Sequence, residues 1–206
     1  ESNIVFGTQL IEAMSANNAK LLINAGTSWQ HYQGKDYSPV CLYAATKQAF
    51  EDIAQFYVEA AGLRVITLKL FDTYGPGDLR PKLFSQLLAA AEGGTALPMS
   101  QGEQLLDLVY VDDVIDAFIA AAARLARGLV PGHERYAVSS GRHIPLRDVV
   151  QIFCAKASLQ NPVIWGGREY RPREVFRPWD SGASLPNWRA TIELEEGIRR
   201  LIAGAG

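Results

Sequence analysis

The sequence contains little cysteine and no apolar run long enough to cross a membrane. Its two cysteines, Cys41 and Cys154, stand far apart in 206 residues, which excludes a disulfide framework and the spacing of a structural metal site. A membrane-spanning helix needs about 20 consecutive apolar residues, and the apolar stretches here are much shorter. The first residues, Glu1-Ser2-Asn3, lack the features of a signal peptide. We therefore expect a cytoplasmic protein without a metal site and without a membrane partner.

Positive and negative charges nearly cancel in this sequence. The 20 Lys and Arg residues face 22 Asp and Glu residues, for a net charge of -2, so no basic surface for nucleic acid is predicted. An anionic substrate would have to be held by local arginines or lysines rather than by the field of the whole protein. The hydrophobic fraction of 48% predicts a globular chain, and its length is enough for one domain with a small lobe.

Helical and strand patterns alternate along the chain. The predicted helices cover residues 4–16, 39–61, 82–92, 114–125 and 145–155, and a last one follows Thr191. The predicted strands cover residues 21–24, 63–70, 105–111, 135–139 and 163–165. Because strands and helices take turns, the sequence predicts a parallel sheet with helices on both faces.

A tyrosine and a lysine stand one helical turn apart near the start of the second predicted helix. Tyr43 and Lys47 occupy positions i and i+4, so both lie on the same helix face. Ser38 suits the N-cap and Pro39 the first helical position. An ammonium beside a phenol, whose ordinary pKa is about 10, lowers the pKa of the phenol and makes it usable as an acid or base. On its own this spacing occurs in many unrelated helices.

Two hydroxyl residues follow the first predicted strand. The apolar run that starts at Leu21 ends at Gly26, and Thr27 and Ser28 come directly after it. Open α/β sheets bind their ligands at the carboxyl ends of their strands. The sequence therefore predicts hydroxyl groups at the ligand-binding edge of the sheet.

Five segments, in this order, resemble the extended branch of the short-chain dehydrogenase/reductase superfamily, which includes nucleotide-sugar epimerases, dehydratases and ketoreductases. The segments are the strand that ends at Thr27-Ser28, Tyr43 to Lys47, Leu68 to Pro76, Leu108 to Val114, and residues 170–174 with residues 194–197. The resemblance covers nearly the whole chain. It implies a Rossmann-like doubly wound parallel sheet with a small C-terminal α/β substrate lobe. Residues 1–76 would belong to the dinucleotide-binding domain, and residues 77–206 would complete the sheet and form the lobe.

The resemblance implies a catalytic set and a cofactor. Counting four residues back from Tyr32 gives Ser28 as the catalytic hydroxyl, which would bind the reacting sugar oxygen. Thr27 is the other candidate for this hydroxyl, and it is also expected to contact the cofactor. Tyr43 would be the acid and base, and Lys47 would lower its pKa and bind the nicotinamide ribose. Hydride transfer would belong to NAD or NADP.

The chain departs from the family pattern at several positions. Family dehydratases carry an Asp-Glu pair after the catalytic hydroxyl, whereas Trp29 and Gln30 stand here and cannot serve as that second acid. The departure favours an epimerase or a 4-ketoreductase, with His31 as a conceivable replacement acid. Asp72 stands where an Asn usually reaches the substrate, and Leu106 stands where an Arg often binds diphosphate.

Arginines in the C-terminal third are the main candidates for holding a diphosphate. Arg171 and Arg173 are expected to do so, since a planar guanidinium suits bidentate phosphate contacts, and Arg80 and Lys82 are possible helpers. The alternative for all four is a solvated surface charge. The nucleotide sugar would be the substrate partner. Relatives of this family pair through their first two helices, so a homodimer is expected through residues 4–16 and 39–61.

The Gly-rich phosphate turn of the family does not appear before Ile4. We therefore expect that this chain starts just before the helix that precedes the Ser28 strand, with the cofactor cradle outside it. Two alternatives to the epimerase or reductase stay open. One is a catalytically silent fragment or a module that only binds its ligand, and the other is a redox-sensing or scaffold relative that binds a dinucleotide but no sugar.

Overall fold

The computed structural model describes residues 2–78 and 80–204. Its helices are α1 (Gly7–Ala16), α2 (Leu42–Ala61), α3 (Leu83–Glu92), α4 (Val111–Ala126), α5 (Leu146–Ala157) and α6 (Leu194–Ala203). Its longer strands are β1 (Leu21–Thr27), β2 (Arg64–Leu70) and β7 (His133–Val138). Its short strands are β3 (Asp72–Tyr74), β4 (Leu97–Met99), β5 (Leu105–Leu106), β6 (Leu108–Tyr110), β8 (Ile144–Pro145) and β9 (Val163–Trp165).

The central sheet consists of β1, β2 and β7 in that order, and both strand pairs are parallel. Thr27 at the end of β1 pairs with Leu70 at the end of β2, which pairs with Val138 at the end of β7. The carboxyl ends of all three strands therefore lie at one edge of the sheet. This register brings the residues that follow each strand to the same place.

Helices cover both faces of the sheet, as the alternation of the sequence predicts. On one face Val65 of β2 packs with Ile11 of α1 and Phe50 of α2. On the other face Ile66 and Leu68 pack in a core that α4 helps to form. Because side chains of a strand point to alternate faces, the buried run of β2 supplies both cores. The fold class predicted from the sequence, a doubly wound α/β sheet, is confirmed.

The remaining elements form a lobe with its own core. α3, α5 and α6 enclose buried apolar side chains, among which the rings of Phe84 and Phe153 lie 4.9 Å apart. Three short strand pairs, β3 with β6, β4 with β9 and β5 with β8, brace this lobe. The boundary near residue 76 between a dinucleotide-binding part and a substrate part stays a prediction.

The second helix begins later than the sequence predicts. α2 starts at Leu42 with Cys41 at its N-cap position, and no side chain caps it. Ser38 instead pairs with His31 in an isolated parallel bridge. Because this bridge keeps the chain extended there, Ser38 and Pro39 do not take the predicted cap and first helical positions.

Buried carboxylates explain two further differences from the predicted elements. The sequence predicts Thr191 as the cap of the last helix, but α6 starts at Leu194, because the backbone and hydroxyl of Thr191 donate hydrogen bonds to Asp113. The predicted strand over residues 105–111 is divided into β5 and β6. Between them, Asp107 is buried and accepts hydrogen bonds from the two serines that follow β7.

In residues 2–78 and 80–204, no helix combines the length and apolar character needed to span a membrane. Within the same ranges, no group of three or more His, Cys, Asp or Glu side chains is arranged to hold a metal ion.

Candidate functional site

A cleft of about 370 Å³ lies between the carboxyl edge of the sheet and the lobe. Ser28, Trp29 and Phe71 line it from the sheet side, and Phe84 and Leu146 line it from the lobe. Its volume lies in the range of small-molecule sites. The position matches the edge at which open α/β sheets bind ligands.

Ser28 opens into this cleft, whereas Thr27 does not. A short 3-10 turn, Ser28–Gln30, follows β1 directly. The Thr27 side chain is buried and its hydroxyl accepts a hydrogen bond from the backbone N–H of Trp29 at 3.3 Å. Because Thr27 caps the turn, its hydroxyl is engaged within the protein, and the geometry favours Ser28 as the hydroxyl that meets a ligand.

Tyr43 and Lys47 lie on the first two turns of α2, shortly after Val40, which lines the cleft. The ammonium of Lys47 lies 5.8 Å from the centroid of the Tyr43 ring. Tyr43 is 49% exposed and is not part of the cleft wall. The structure thus places this pair on one face of the helix, as predicted, and beside the cleft rather than within it.

The pKa of Tyr43 moves in the direction opposite to the predicted one. Partial burial raises the pKa of the phenol above 10, Cys41 acts in the same direction, and Arg80 opposes them. Lys47 is not among the groups that shift the pKa of Tyr43. Burial also lowers the pKa of Lys47, although Glu51 opposes this effect. The expected lowering of the Tyr43 pKa by Lys47 is therefore not found in the chain alone.

Asp72 begins β3 and its carboxyl is open to the cleft. The protein that surrounds this carboxyl raises its pKa to about 6. Lys82 and Arg171 lower the pKa and Asp107 raises it, but desolvation of the carboxyl by the surrounding protein atoms has the largest effect. Asp72 is therefore a carboxyl group that changes charge near neutral pH at the position where the family usually has an amide.

Four cationic side chains line the cleft. Arg171, Arg173 and Lys82 were expected there from the sequence, and Arg168 joins them. Arg168 could have been found from its position, since it lies three residues before Arg171 in the same basic segment. Arg80 does not line the cleft, because its guanidinium is paired with Asp78 at 2.7 Å on an exposed surface.

An aromatic stack forms another part of the cleft wall. The rings of His31 and Trp179 are stacked with centroids 3.7 Å apart, and Phe71 lies beyond Trp179. Nδ1 of His31 donates to the backbone oxygen of Lys35 at 3.1 Å, and Nε2 is buried without a partner in the described residues. Burial lowers the pKa of His31, and Lys69 acts in the same direction.

Two of the tryptophans, Trp165 and Trp188, lie away from Trp179. Trp165 packs beneath the guanidinium of Arg147, and Trp188 donates its indole N–H to the backbone oxygen of Asp113 at 3.0 Å. Neither lines the cleft. Of the three, only Trp179 reaches the candidate site.

The two positions that separate this chain from family dehydratases have different surroundings. Trp29 lines the cleft, whereas Gln30 is fully buried and turned away from it. The amide oxygen of Gln30 accepts a hydrogen bond from Thr27 N, and its nitrogen donates to Glu51 at 2.8 Å. Leu106 also lines the cleft, so an apolar side chain takes the place of the expected diphosphate arginine.

Comparisons with known proteins agree with this geometry. Residues 1–138 match the model of the NAD dependent epimerase/dehydratase family. The chain is 24% identical over 204 residues to CDP-abequose synthase of Salmonella muenchen, which covers 98% of this chain and 68% of that protein. It is 27% identical over 220 residues to UDP-glucuronate 4-epimerase of Thermodesulfobacterium geofontis, which covers 98% of this chain and 64% of that protein.

Solved structures show the same fold. UDP-glucose 4-epimerase from Brucella ovis in complex with NAD superposes with a TM-score of 0.86 at 19% identity, over 98% of this chain and 70% of that one. MoeE5 in complex with UDP-glucose and NAD superposes with a TM-score of 0.83 at 25% identity, over 98% and 70% of the two chains. The family match confirms the predicted resemblance, and the neighbours contain the predicted type of cofactor.

The stack of His31 on Trp179 gives a test that needs no ligand. A protonated imidazole in contact with an indole quenches its fluorescence, and burial lowers the pKa of His31 from its usual 6.5. We expect tryptophan fluorescence to fall on acidification with a midpoint below pH 6.5, and the change to disappear in His31→Gln. His143→Gln, at an exposed histidine, should keep it. A midpoint at or above pH 6.5 in the wild type would contradict the lowering of the His31 pKa by burial.

Proposed function

Because the chain belongs to the NAD dependent epimerase/dehydratase family, we propose that it acts on a nucleotide sugar as a 4-epimerase or a 4-ketoreductase. One observation carries the proposal. Ser28, at the carboxyl end of β1, opens into a cleft that also holds three arginines. One cavity thus contains a hydroxyl that can hydrogen-bond a sugar oxygen and cations that can bind a diphosphate.

The charge of the cleft supports an anionic substrate. Arg168, Arg171 and Arg173 come from one segment that precedes α6, and Lys82 comes from the start of α3. Guanidinium groups bind phosphate oxygens in bidentate pairs. The net charge of the protein is only -2, so attraction of a diphosphate depends on this local group. UDP-glucuronate, UDP-glucose and CDP-linked sugars named among the relatives share that diphosphate.

Three side chains would act on the proton of the oxygen that the reacting carbon bears. Tyr43 would give a proton to the sugar oxygen, or accept one from it, as hydride arrives at or leaves the carbon that bears it. Ser28 would hold the same oxygen by a hydrogen bond. Lys47 would hold the phenol oxygen in its ionised form once a ligand fills the space beside Tyr43.

The residues of this chain fit the nicotinamide end of NAD or NADP. Among the residues that the structure describes, no side chain accepts a hydrogen bond from Lys47, so its ammonium is free to bind ribose hydroxyls. When bound, the cofactor supplies the hydride acceptor or donor. The Gly-x-x-Gly-x-x-Gly turn that holds the pyrophosphate in this family does not occur within the 206 residues.

The surroundings of Gln30 support an epimerase or reductase over a dehydratase. Elimination of water needs a second acid near the sugar, and Gln30 is instead bound to Glu51 in the core. Trp29 has no acidic proton to offer at neutral pH. His31 was the conceivable replacement, but its Nε2 is buried and its pKa is lowered by burial, so it is neutral near pH 7.

A second candidate function is a module that binds a nucleotide sugar without turning it over. The position of Tyr43 beside the cleft rather than in its wall, and the raised pKa of its phenol, favour it. A redox-sensing or scaffold relative without a sugar ligand would leave the three arginines of the cleft without a purpose. Binding of a nucleotide sugar therefore counts against that last alternative.

Replacement of Tyr43 tests the proposed proton transfer. Tyr43→Phe removes only the hydroxyl, so we expect kcat to fall by about 100-fold or more while affinity for the nucleotide sugar stays unchanged. Tyr37→Phe, at an exposed tyrosine in the preceding loop, is the matched control and should keep the wild-type rate. The measurement is conversion of UDP- and CDP-linked hexoses or their 4-keto forms with NAD(H). Full turnover by Tyr43→Phe would refute the role, and binding without turnover by the wild type would support the module.

The carboxyl of Asp72 predicts a pH dependence of substrate affinity. Its pKa is raised to about 6, so it is neutral below pH 6 and negative above. A negative charge in the cleft repels a diphosphate, and we expect affinity for UDP-glucose to fall by about tenfold from pH 5 to pH 8. UDP-glucose suits the test because its phosphates stay ionised over that range.

Two variants show whether Asp72 or another acidic residue causes this pH dependence. Their affinity for UDP-glucose is measured by calorimetric titration. Asp72→Asn should bind with nearly constant affinity over the same range. Hydrogen bonds from Arg80 hold the pKa of Asp78 at about 2, so Asp78→Asn should keep the wild-type pH dependence. An Asp72→Asn profile as steep as the wild type would show that another group causes the change.

We propose a homodimer through the first two helices. α1 and α2 pack side by side, and both expose large apolar side chains. Phe6, at the N-cap position of α1, is 63% exposed, and Phe56 of α2 is 62% exposed. Pairing of two copies would remove these side chains from water, which is favourable by about 25 cal/mol per Å² of apolar surface.

A charged residue in this surface tests the dimer. Phe56→Glu should sediment as a monomer at concentrations where the wild type sediments as a dimer. Ile119→Glu, at a similarly exposed apolar position on α4, should leave the wild-type state unchanged. A wild-type protein that sediments only as a monomer would remove the proposal.

A further inference from the structure

A buried ion pair joins the central strand to the helix that carries Tyr43. Glu51 of α2 and Lys69 of β2 are both almost fully buried, and their charged atoms lie 2.6 Å apart. Arg135 of β7 approaches the other carboxylate oxygen of Glu51 at 3.2 Å. Glu51 is four residues after Lys47 and eight after Tyr43, on the same helix. The pair therefore fixes α2 to the sheet close to the candidate site.

The same carboxylate also holds the turn that carries Ser28. Gln30, the last residue of that turn, is fully buried, and its side-chain NH2 donates to Glu51 at 2.8 Å and to Gln48, also on α2, at 2.7 Å. Its amide oxygen accepts the backbone N–H of Thr27 at 2.9 Å. Gln30 thus closes the turn around Ser28 with one end and attaches it to α2 with the other.

The sheet makes room for this arrangement. In the parallel register Gly26 of β1 pairs with Lys69 of β2. A side chain at Gly26 would place its Cβ 2.9 Å from Cδ of Lys69 and 3.1 Å from the amide oxygen of Gln30. Since neither contact can be accommodated without movement, the space beside Gly26 is reserved for the Lys69 and Gln30 side chains.

We propose that Glu51 is a positioning residue for the reaction, and that Gln30 is the link through which it acts. Glu51 fixes the distance between Ser28 on the turn and Tyr43 on α2, so that both hydroxyls reach one sugar oxygen. The inference rests on the proposed function in its catalytic part. Its structural part, the attachment of the turn to the helix, stands independently of any reaction.

Gln30→Met tests the link while it leaves the ion pair of Glu51 and Lys69 intact. The variant has a side chain of similar length that cannot donate to Glu51 or Gln48 and cannot accept from Thr27. We expect amide hydrogen exchange in residues 27–40 to become about tenfold faster or more, with exchange in α5 and β7 unchanged. The matched control is Gln55→Met, which removes a Gln-to-Glu hydrogen bond on the exposed side of the same helix. It should leave exchange in residues 27–40 as in the wild type.

Glu51→Gln gives an independent second variant. It keeps the shape of the side chain but cannot satisfy the donors of Gln30, Lys69 and Arg135 together, so the same local increase in exchange is expected. Unchanged exchange in residues 27–40, or an equal increase throughout the protein, would overturn the proposal. The second pattern would mean that the residues contribute only to overall stability.

Kinetics separate this inference from the proposed function. For Gln30→Met we expect kcat to fall by about 10- to 100-fold, with KM for the nucleotide sugar unchanged, because Ser28 would be displaced from the reacting oxygen. Local loosening with an unchanged kcat would overturn the positioning role. Local loosening in a protein whose wild type shows no turnover would refute the proposed function and leave the attachment of the turn in place.

Discussion

The ion pair between Glu51 and Lys69 is the interaction on which the candidate site depends. Two charges are removed from water inside the sheet, and their desolvation is offset by a 2.6 Å contact and by hydrogen bonds from Gln30 and Arg135. Loss of one partner of such a pair typically costs about 3–5 kcal/mol. Because the partners lie on α2 and β2, the same contact holds the helix of Tyr43 against the strand that leads to Asp72.

The parallel register of the strands places the site residues next to this ion pair. Since β1 and β2 end level with each other, Ser28 and Phe71 reach the cleft from neighbouring strands. The lobe then adds what the sheet cannot supply, which is the cationic group of Arg168, Arg171 and Arg173. The groups proposed to handle protons thus come from the rigid sheet and helix, whereas those proposed to hold the substrate come from the less regular chain before α6.

Much of the fold could be predicted from the sequence, since β2 has a nearly continuous apolar run and α2 has a clear apolar face. The start of α2 could not, because Ser38 and Pro39 suit a helix cap locally and only the bridge to His31 overrides that preference. Ser28, Asp72, Arg171 and Arg173 were expected at the site from the family resemblance, and all four line the cleft, whereas Arg80 was expected there and does not. The role of Gln30 and the raised pKa of Tyr43 were missed, because both depend on three-dimensional neighbours that sequence spacing does not show.

Transfer of deuterium tests the central claim most directly. The protein would be incubated with a nucleotide-linked 4-keto hexose and NADH or NADPH in which both hydrogens at C4 of the nicotinamide are deuterium, and the product sugar analysed by mass spectrometry and NMR. The account predicts one deuterium on a ring carbon of the sugar, both for a reductase and for the reduced form of an epimerase. A nucleotide sugar that binds in the cleft and gains no deuterium would contradict it.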